Sequence, residues 1–206
     1  MKGILYKDFL VLKKQGVIIL GCLLLYGIIA LFGGNDSSIF SFAVVFLGTM
    51  LPVTALAYDE QAKWDKYALS MPVSRTEMVV SKYLLCLIVF AVAGILNLGV
   101  ELIQKKGIID MDAVLVSLAV LSLGILYVSV MLPLLFRFGV EKGRLMILLV
   151  VFVPAGIFML LDWAGVSVPK SNTEMTVLLK ILPVVALAAL ILSVLVSVAI
   201  YQKKEF

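Results

Sequence analysis

The chain has 206 residues, of which 63% are hydrophobic and only 15% are charged, and its mean hydropathy is +1.17. A soluble domain carries about 25% charged residues, and a domain of this length has too little interior to hide so much apolar surface from water. The composition therefore excludes a soluble enzyme domain and indicates an integral membrane protein. The sequence contains no histidine, so the commonest general base and metal ligand are both missing.

Catalytic and metal chemistry find little support in the remaining residues. Cys22 and Cys86 both lie in apolar segments, and we interpret them as small buried hydrophobic residues in preference to a disulfide or a metal site. No phosphate-binding G-x-x-x-x-G-K-[ST] motif occurs. We therefore expect no catalytic, cofactor or metal site in this chain. The net charge of +4 is attributed to orientation in a membrane, and not to nucleic-acid binding.

Six apolar segments have the length of a membrane-spanning helix, which is about 20 residues. No repeat, low-complexity tract or long linker separates them, so residues 1–206 are predicted to form one all-α membrane domain with six transmembrane helices. The six segments run over Gly16–Phe32, Ile39–Tyr58, Tyr83–Ile103, Ala113–Phe136, Leu145–Leu161 and Ile181–Tyr201.

The positive charges are distributed unevenly between the two sides of these spans. Of the 17 Lys and Arg residues, only Lys105, Lys106, Lys170 and Lys180 fall on one side, which leaves 17 − 4 = 13 on the other. Because loops rich in Lys and Arg stay on the cytoplasmic side of a membrane, the richer side is predicted to be cytoplasmic. Both termini are predicted to lie there.

The first 14 residues form a separate element in this prediction. Apolar side chains are expected on one helical face, and the lysines mostly lie off that face. Residues 1–14 are therefore predicted to form an amphipathic helix in the cytoplasmic membrane interface, the alternative being an extension of the first span. The predicted apolar face consists of Met1, Ile4, Leu5, Phe9 and Leu12.

The connection between the second and third spans, residues 59–82, is longer than a plain linker needs to be. Four acidic and four basic residues are mixed there with apolar ones. Trp64 and Tyr67 lie three positions apart, which predicts one shared helical face. Aromatic anchors among balanced charges are typical of a docking surface. The alternative is an interfacial helix that packs only on its own protein or on lipid.

The second half of this connection predicts a turn and a new helix. Pro72 is expected to end the first helix, because the residue before a proline is disfavoured in the helical conformation. Ser74 is a favourable N-cap, and Glu77 three residues later completes a capping box. The pattern therefore predicts a short helix, a sharp turn, and a helix that runs into the third span.

The same stretch carries a more specific signal. The motif reads Tyr58-Asp59-Glu60 with Trp64, then Leu69-Ser70-Met71-Pro72-Val73-Ser74-Arg75, then Val79 and Lys82-Tyr83. It resembles the ABC-2-type permease family, in which a short helix and a leucine-proline-variable-serine-arginine stretch follow the second span. Met71 stands where leucine is common. The resemblance extends over the whole chain, from the basic start to the short charged tail at residues 202–206.

This resemblance implies a permease subunit of an ABC exporter in the bacterial plasma membrane. Such a subunit works with a second permease chain, in a homodimer or heterodimer, and with separate ATPase subunits that bind ATP and Mg²⁺. A hydrophobic or amphipathic substrate, such as a peptide, is expected. By resemblance, the coupling helix that docks on the ATPase comprises Asp59, Glu60, Lys63, Trp64, Lys66 and Tyr67, and the turn after it is fixed by Pro72, Ser74 and Arg75. The alternative function is a non-transporting immunity or scaffold protein.

Two further features complete the prediction. Asn97 and Glu101 are the most polar residues inside a span, and they either line the substrate pathway or form structural contacts. In the structural alternative, Asn97 makes an interhelical hydrogen bond and Glu101 reaches the outer interface. The outer loop at 162–180 is predicted to place Trp163 at the membrane interface. A short outer helix, capped by Ser171 and Glu174, is expected to lead into the last span.

Overall fold

In the computed structural model of the protein, the described residues are 2–32, 38–68, 74–104, 111–163 and 172–203, and they form helices joined by short turns without any strand. The prediction of an all-α membrane protein is therefore confirmed. The helices are α1 (Lys2–Phe32), α2 (Ser38–Gln61), α3 (Trp64–Ala68), α4 (Arg75–Gln104), α5 (Met111–Trp163) and α6 (Asn172–Gln202).

Four helical segments among the described residues are long and apolar enough to cross a membrane. They correspond to the predicted second, third, fourth and sixth spans, and each continues past the predicted span at the end where the 13 basic residues cluster. Apolar segments of this length match the hydrocarbon thickness of a bilayer. The four segments are Phe40–Gln61, Arg75–Gln104, Val114–Gly143 and Leu179–Gln202.

Helix α1 is bent between its two parts. Gly3–Lys13 and Gln15–Ile29 meet at an angle of 62°, and together they count as a fifth candidate span. The break falls at the predicted boundary between residues 1–14 and the first span. The division of this region into two elements is thus confirmed, while the place of the first element in the membrane interface stays a prediction.

The face by which Gly3–Lys13 contacts the bundle differs from the predicted one. Ile4 and Leu12 are buried as expected, but Phe9 is 49% exposed. Asp8, which shares a helical face with Ile4 and Leu12, is only 1% exposed. The face packed on the bundle therefore has a carboxylate at its centre, and the place of Phe9 in the membrane interface stays a prediction.

Helix α5 consists of two helices that meet at Gly139. This residue has φ 79° and ψ 171°, a backbone conformation that glycine adopts without a steric penalty. A Cβ atom on Gly143 would lie 3.5 Å from the Cα of Leu135, whereas residues eight apart in a straight helix are about 12 Å apart. The chain therefore folds back on itself at Gly139.

The part of α5 after the turn contains the predicted fifth span, Leu145–Leu161. Its backbone is helical, but its side chains lie outside the described part of the structure. The layout of six spans therefore stays a prediction, in which α5 contributes the fourth and fifth spans as a helical hairpin.

Apolar packing joins α2, α4, α5 and α6. Cys86, which was predicted to be a buried hydrophobic residue, is 1% exposed in this cluster, whereas Cys22 is half-buried and both thiols are free. Burial of such side chains by interdigitation is what holds membrane helices together, since lipid tails are as apolar as the side chains themselves. The cluster includes Val45, Val79, Cys86, Phe90, Val128, Leu132, Phe136 and Tyr201.

Polar side chains add contacts between the helices. The Tyr83 hydroxyl of α4 lies 2.6 Å from the Ser193 hydroxyl and 2.7 Å from the Ser197 hydroxyl, both on α6. Ser193 also donates to the backbone carbonyl of Ser129 on α5. Hydrogen bonds of this kind fix the relative positions of helices in the absence of water.

Candidate coupling site

The connection between α2 and α4 is described at residues 59–68 and 74–82, and it contains the short helix α3; we call these residues the hairpin. Helix α2 ends at Gln61, and Lys63 has a φ of 49°. A residue in this left-handed conformation commonly ends a helix. The predicted short helix is confirmed as Trp64–Ala68, although Met71 and Pro72, with which it was expected to end, lie outside the described residues.

The start of α4 has the predicted capping box. The Ser74 backbone amide donates to Oε2 of Glu77 at 3.1 Å, and the Glu77 amide donates to Oγ of Ser74 at 3.2 Å. Both bonds satisfy amide groups that have no partner within the first turn of a helix. This part of the prediction is confirmed at the level of individual atoms.

The two aromatic residues of α3 differ in their surroundings. Trp64 is half-buried and packs against the apolar cluster that contains Met78 and Tyr201. The Lys7 ammonium lies 4.4 Å from the centre of the Trp64 ring, within the range of a cation–π interaction. Tyr67, by contrast, is 61% exposed. Trp64 therefore holds the hairpin against the bundle, whereas a shared part of Trp64 and Tyr67 in docking stays a prediction.

Four charged side chains meet where the hairpin joins the bundle. The Lys7 ammonium lies 2.6 Å from Asp59 and 3.1 Å from Asp8, and the Lys82 ammonium lies 2.6 Å from Asp59 and 2.8 Å from Asp8. Every lysine thus contacts both aspartates, and we call this closed arrangement the four-charge ring. Its members belong to α1, α2 and α4.

The four-charge ring is largely shielded from solvent. The exposed fraction of the side chain is 1% for Asp8, 5% for Lys82, 12% for Asp59 and 21% for Lys7. Charges at such depth are costly unless they are paired, and here two positive charges balance two negative ones. The ring therefore fixes the N-terminal segment, the end of α2 and the start of α4 relative to one another.

Sequence reasoning singled out Asp59 and noted Lys82 in the motif, but it missed Asp8 as a functional candidate. A signal was present, since Asp8 lies four residues from both Ile4 and Leu12 and thus shares their helical face. A carboxylate at the centre of an apolar stripe is buried only when it has a partner. Its partner, Lys82, lies 74 residues away along the chain.

Glu60 joins the hairpin to the turn of α5. Its Oε2 atom accepts a hydrogen bond from the Val140 amide at 2.5 Å, and its Oε1 atom lies 2.6 Å from the place that a Cβ atom on Gly139 would occupy. Val140 begins the second part of α5, and a carboxylate is favourable at the N-terminus of a helix. Glu60 was predicted by resemblance to belong to the coupling helix, and in the structure its carboxylate is directed to this turn.

These features gather at one end of the bundle. Arg75 donates a hydrogen bond from Nη1 to the backbone carbonyl of Gln202 at 2.7 Å, so a cation lies at the C-terminus of α6. This contact extends the predicted role of Arg75, which was to fix the turn after α3. The N-terminal segment, the hairpin, the turn of α5 and the last turn of α6 are therefore neighbours.

The sequence of the chain decides the family. Residues 3–202 match the family model described as ABC-2 family transporter protein. The chain belongs to this family. No curated protein matches it closely enough to add to this assignment.

Family membership makes the protein a multi-pass membrane permease of an ABC transporter. The predicted permease family is therefore confirmed. Among the described residues of the permease, no group of three or more Cys, Asp and Glu side chains could hold a metal ion.

The structure also places the remaining predicted residues of the permease. Lys63 is exposed beside α3, and the side chain of Lys66 lies outside the described part. Trp163 is 89% exposed, as a residue of the outer interface would be in a bundle without lipid. Ser171, the predicted cap of the outer helix, lies outside the described residues.

Asn97 lies at the junction of three helices of the permease. The Ser41 hydroxyl of α2 donates to Oδ1 of Asn97 at 2.7 Å, and Nδ2 of Asn97 donates to the Ser117 hydroxyl of α5 at 3.2 Å. Asn97 is fully buried, which agrees with the structural alternative of an interhelical hydrogen bond. Glu101 is 7% exposed, so the expectation that it reaches the outer interface is wrong. A part for either residue in a substrate pathway stays a prediction.

Proposed function

We propose that the permease is one membrane subunit of an ATP-driven exporter and that a separate ATPase docks on its hairpin. The observation that carries this proposal is the contrast between the two sides of the hairpin. Trp64, Asp59, Glu60 and Lys82 bind the permease itself, whereas Tyr67 on α3 faces outward with 61% of its surface exposed. The hairpin therefore has an inner side that can transmit a displacement and an outer side that can receive one.

The end of the bundle that carries the hairpin is proposed to be cytoplasmic. The clustering of 13 of the 17 basic residues on that side supports this orientation. The contacts of Lys7 with Asp59 and of Arg75 with Gln202 support a common side for both ends of the chain. In this orientation, the hairpin and the turn of α5 both face the compartment that contains ATP.

The ATPase is proposed to bind ATP and Mg²⁺ in its own chain and to push the hairpin as it closes on nucleotide. The permease then needs no phosphate-binding loop. A second permease chain, identical or different, completes the pathway. Export of a hydrophobic or amphipathic substrate, such as a peptide, suits a chain with short outer connections and a bundle surface rich in exposed Ile, Leu and Val.

Docking is tested by purification of the permease in detergent together with the products of the neighbouring genes. The native chain should retain an ATPase. Tyr67→Ala should reduce the retained ATPase about tenfold or more, since an aromatic residue at the centre of an interface contributes about 2 kcal/mol. Tyr6→Ala is the matched control, because Tyr6 is 68% exposed but lies on the N-terminal segment.

Each outcome of this experiment has a distinct meaning. Equal retention by Tyr67→Ala and the native chain would show that the ATPase docks elsewhere. Complete absence of an ATPase from the native preparation would contradict the exporter and favour the immunity or scaffold protein. Equal losses in Tyr67→Ala and Tyr6→Ala would show that the contact is not specific to α3.

A further inference from the structure

We propose that the four-charge ring is a joint through which the hairpin moves the N-terminal segment of α1, and that the ring serves this transmission and not stability. The proposal rests on the proposed function, since the ATPase supplies the displacement. The proposal concerns the contact between the hairpin and Gly3–Lys13. Among the described residues of α1, only this segment carries buried charges.

The position of the ring supports a part in transmission. Asp59 lies two residues before the end of α2, and Lys82 lies in the second turn of α4. The two arms of the hairpin therefore both enter the ring. Lys7 additionally lies 4.4 Å from the centre of the Trp64 ring, which ties α3 to the same segment. Each of the three helical pieces of the hairpin thus contacts one of two adjacent residues of α1: α2 and α3 contact Lys7, and α4 contacts Asp8.

Stability alone does not account for the ring. Replacing a buried ion pair by well-packed apolar side chains of similar volume is often neutral or stabilising, because the charges no longer lose their hydration. Asp8 has apolar neighbours on its own helix, since Ile4 and Leu12 flank it and are 9% and 5% exposed. An apolar joint at this place would therefore hold α1 to α4 equally well.

The closed form of the ring gives it a property that a single ion pair lacks. Each charge has two opposite neighbours, at 2.6 to 3.1 Å. If the helices shift and one contact opens, every charge keeps one partner. The costly state, a buried charge without any partner, is therefore avoided during the shift. The ring resists separation of the three helices but permits displacement between them.

The joint is tested first in the permease alone. Spin labels are placed at Gly3→Cys and Ala62→Cys, in a Cys22→Ser and Cys86→Ala background. Both sites are exposed, and nothing lies within 4 Å of a Cβ atom on Gly3. The distance between the labels, measured by pulsed electron spin resonance, reports whether the N-terminal segment and the hairpin are joined.

Three variants test whether the ring requires positive and negative charges in alternation or only equal numbers of both. Half inversion, Asp8→Lys with Lys82→Asp, keeps the net charge but places like charges side by side on two edges. Full inversion, which adds Lys7→Asp and Asp59→Lys, restores alternation on all four edges. The apolar variant replaces both lysines by Met and both aspartates by Leu, so it removes the charges at similar volume.

The native chain and full inversion should give one narrow distance peak, and half inversion should lose it. The apolar variant should unfold at the unfolding temperature of the native chain or above it.

In the complex with the ATPase, trapping with ATP and vanadate should shift the distance between labels at Gly3→Cys and Gly99→Cys. This shift should be lost in the apolar variant.

Several results would overturn the joint. The first is a distance peak in half inversion that is as narrow as in the native chain. The second is an unfolding temperature of the apolar variant below that of the native chain. The third is a shift on trapping with ATP and vanadate that is as large in the apolar variant as in the native complex. If half inversion fails to fold, the apolar variant and full inversion still show whether the ring acts as a joint. If no ATPase is retained by the native chain, the proposed function fails, whereas the measurements on the permease alone still accept or reject the joint.

Discussion

The Lys82 ammonium lies 2.8 Å from both carboxylate oxygens of Asp8, a residue 74 positions earlier in the chain. This contact connects the start of α4, one arm of the hairpin, to the N-terminal segment. Together with Asp59 and Lys7 it forms a neutral group that is largely shielded from solvent. The stability of the group therefore depends on whether charges are removed singly or as neighbouring pairs.

Lys82→Met should destabilise the permease by about 3 kcal/mol, since it leaves Asp8 and Asp59 to share one lysine in a buried site. The double variant Asp8→Leu with Lys82→Met should recover most of this loss. It removes one positive and one negative charge and leaves the contact of Lys7 with Asp59 at 2.6 Å intact. Unfolding in mixed detergent micelles measures the stability of both variants. A double variant as unstable as Lys82→Met would contradict a balanced ring.

Gly139→Ala should destabilise the permease by about 1 to 3 kcal/mol. A side chain is strained at a φ of 79°, and its Cβ atom would lie 2.6 Å from Oε1 of Glu60. Gly99→Ala is the matched control. Nothing lies within 4 Å of its Cβ atom, and alanine is favoured over glycine in a helix by about 0.5 to 1 kcal/mol.

The double variant Glu60→Ala with Gly139→Ala separates the two causes. It removes the close approach but keeps the strained φ, so it should recover part of the loss caused by Gly139→Ala. Thermal unfolding of the native chain, Gly139→Ala, Gly99→Ala and the double variant measures the effect. A Gly139→Ala chain as stable as Gly99→Ala would show that the turn of α5 tolerates a side chain.

The features that the sequence predicted correctly depend on residues close together in the chain. The capping box needs only Ser74 and Glu77, the break in α1 lies between Lys13 and Gln15, and the spans follow from continuous apolar segments. Each of these signals is decided by local backbone geometry or by transfer of a segment into lipid. Such features can be recognised before the fold is known.

The features that escaped prediction depend on pairs far apart in the chain. Glu60 and Val140 are 80 positions apart, and Lys7 and Asp59 are 52 apart. The predicted order of the spans put these residues on one side of the membrane but could not pair them. The inward placement of Trp64 was also unpredictable, because it follows from contacts with Lys7 and with the apolar cluster and not from spacing within α3.

Gly124→Ala should destabilise the bundle by about 1 to 3 kcal/mol through overpacking. A Cβ atom on Gly124 would overlap Cγ1 of Val45 and would lie 2.7 Å from Cε1 of Phe90. Small residues permit such close approach of membrane helices. Gly21→Ala is the control, since its Cβ atom would meet nothing within 4 Å. Gly124→Ala with Val45→Ala should recover stability, and failure to do so would place the strain elsewhere.

Asn97→Leu should destabilise the permease by about 1 kcal/mol, the usual effect of losing interhelical hydrogen bonds in a membrane. The Ser41 and Ser117 hydroxyls can then bond to carbonyls of their own helices, which limits the cost. Leu96→Ala, on the exposed side of the same helix, is the control for a change that leaves the hydrogen bonds intact. Unfolding in detergent measures both variants. Unaltered stability of Asn97→Leu, together with altered ATP-driven transport in vesicles, would instead assign Asn97 to the substrate pathway.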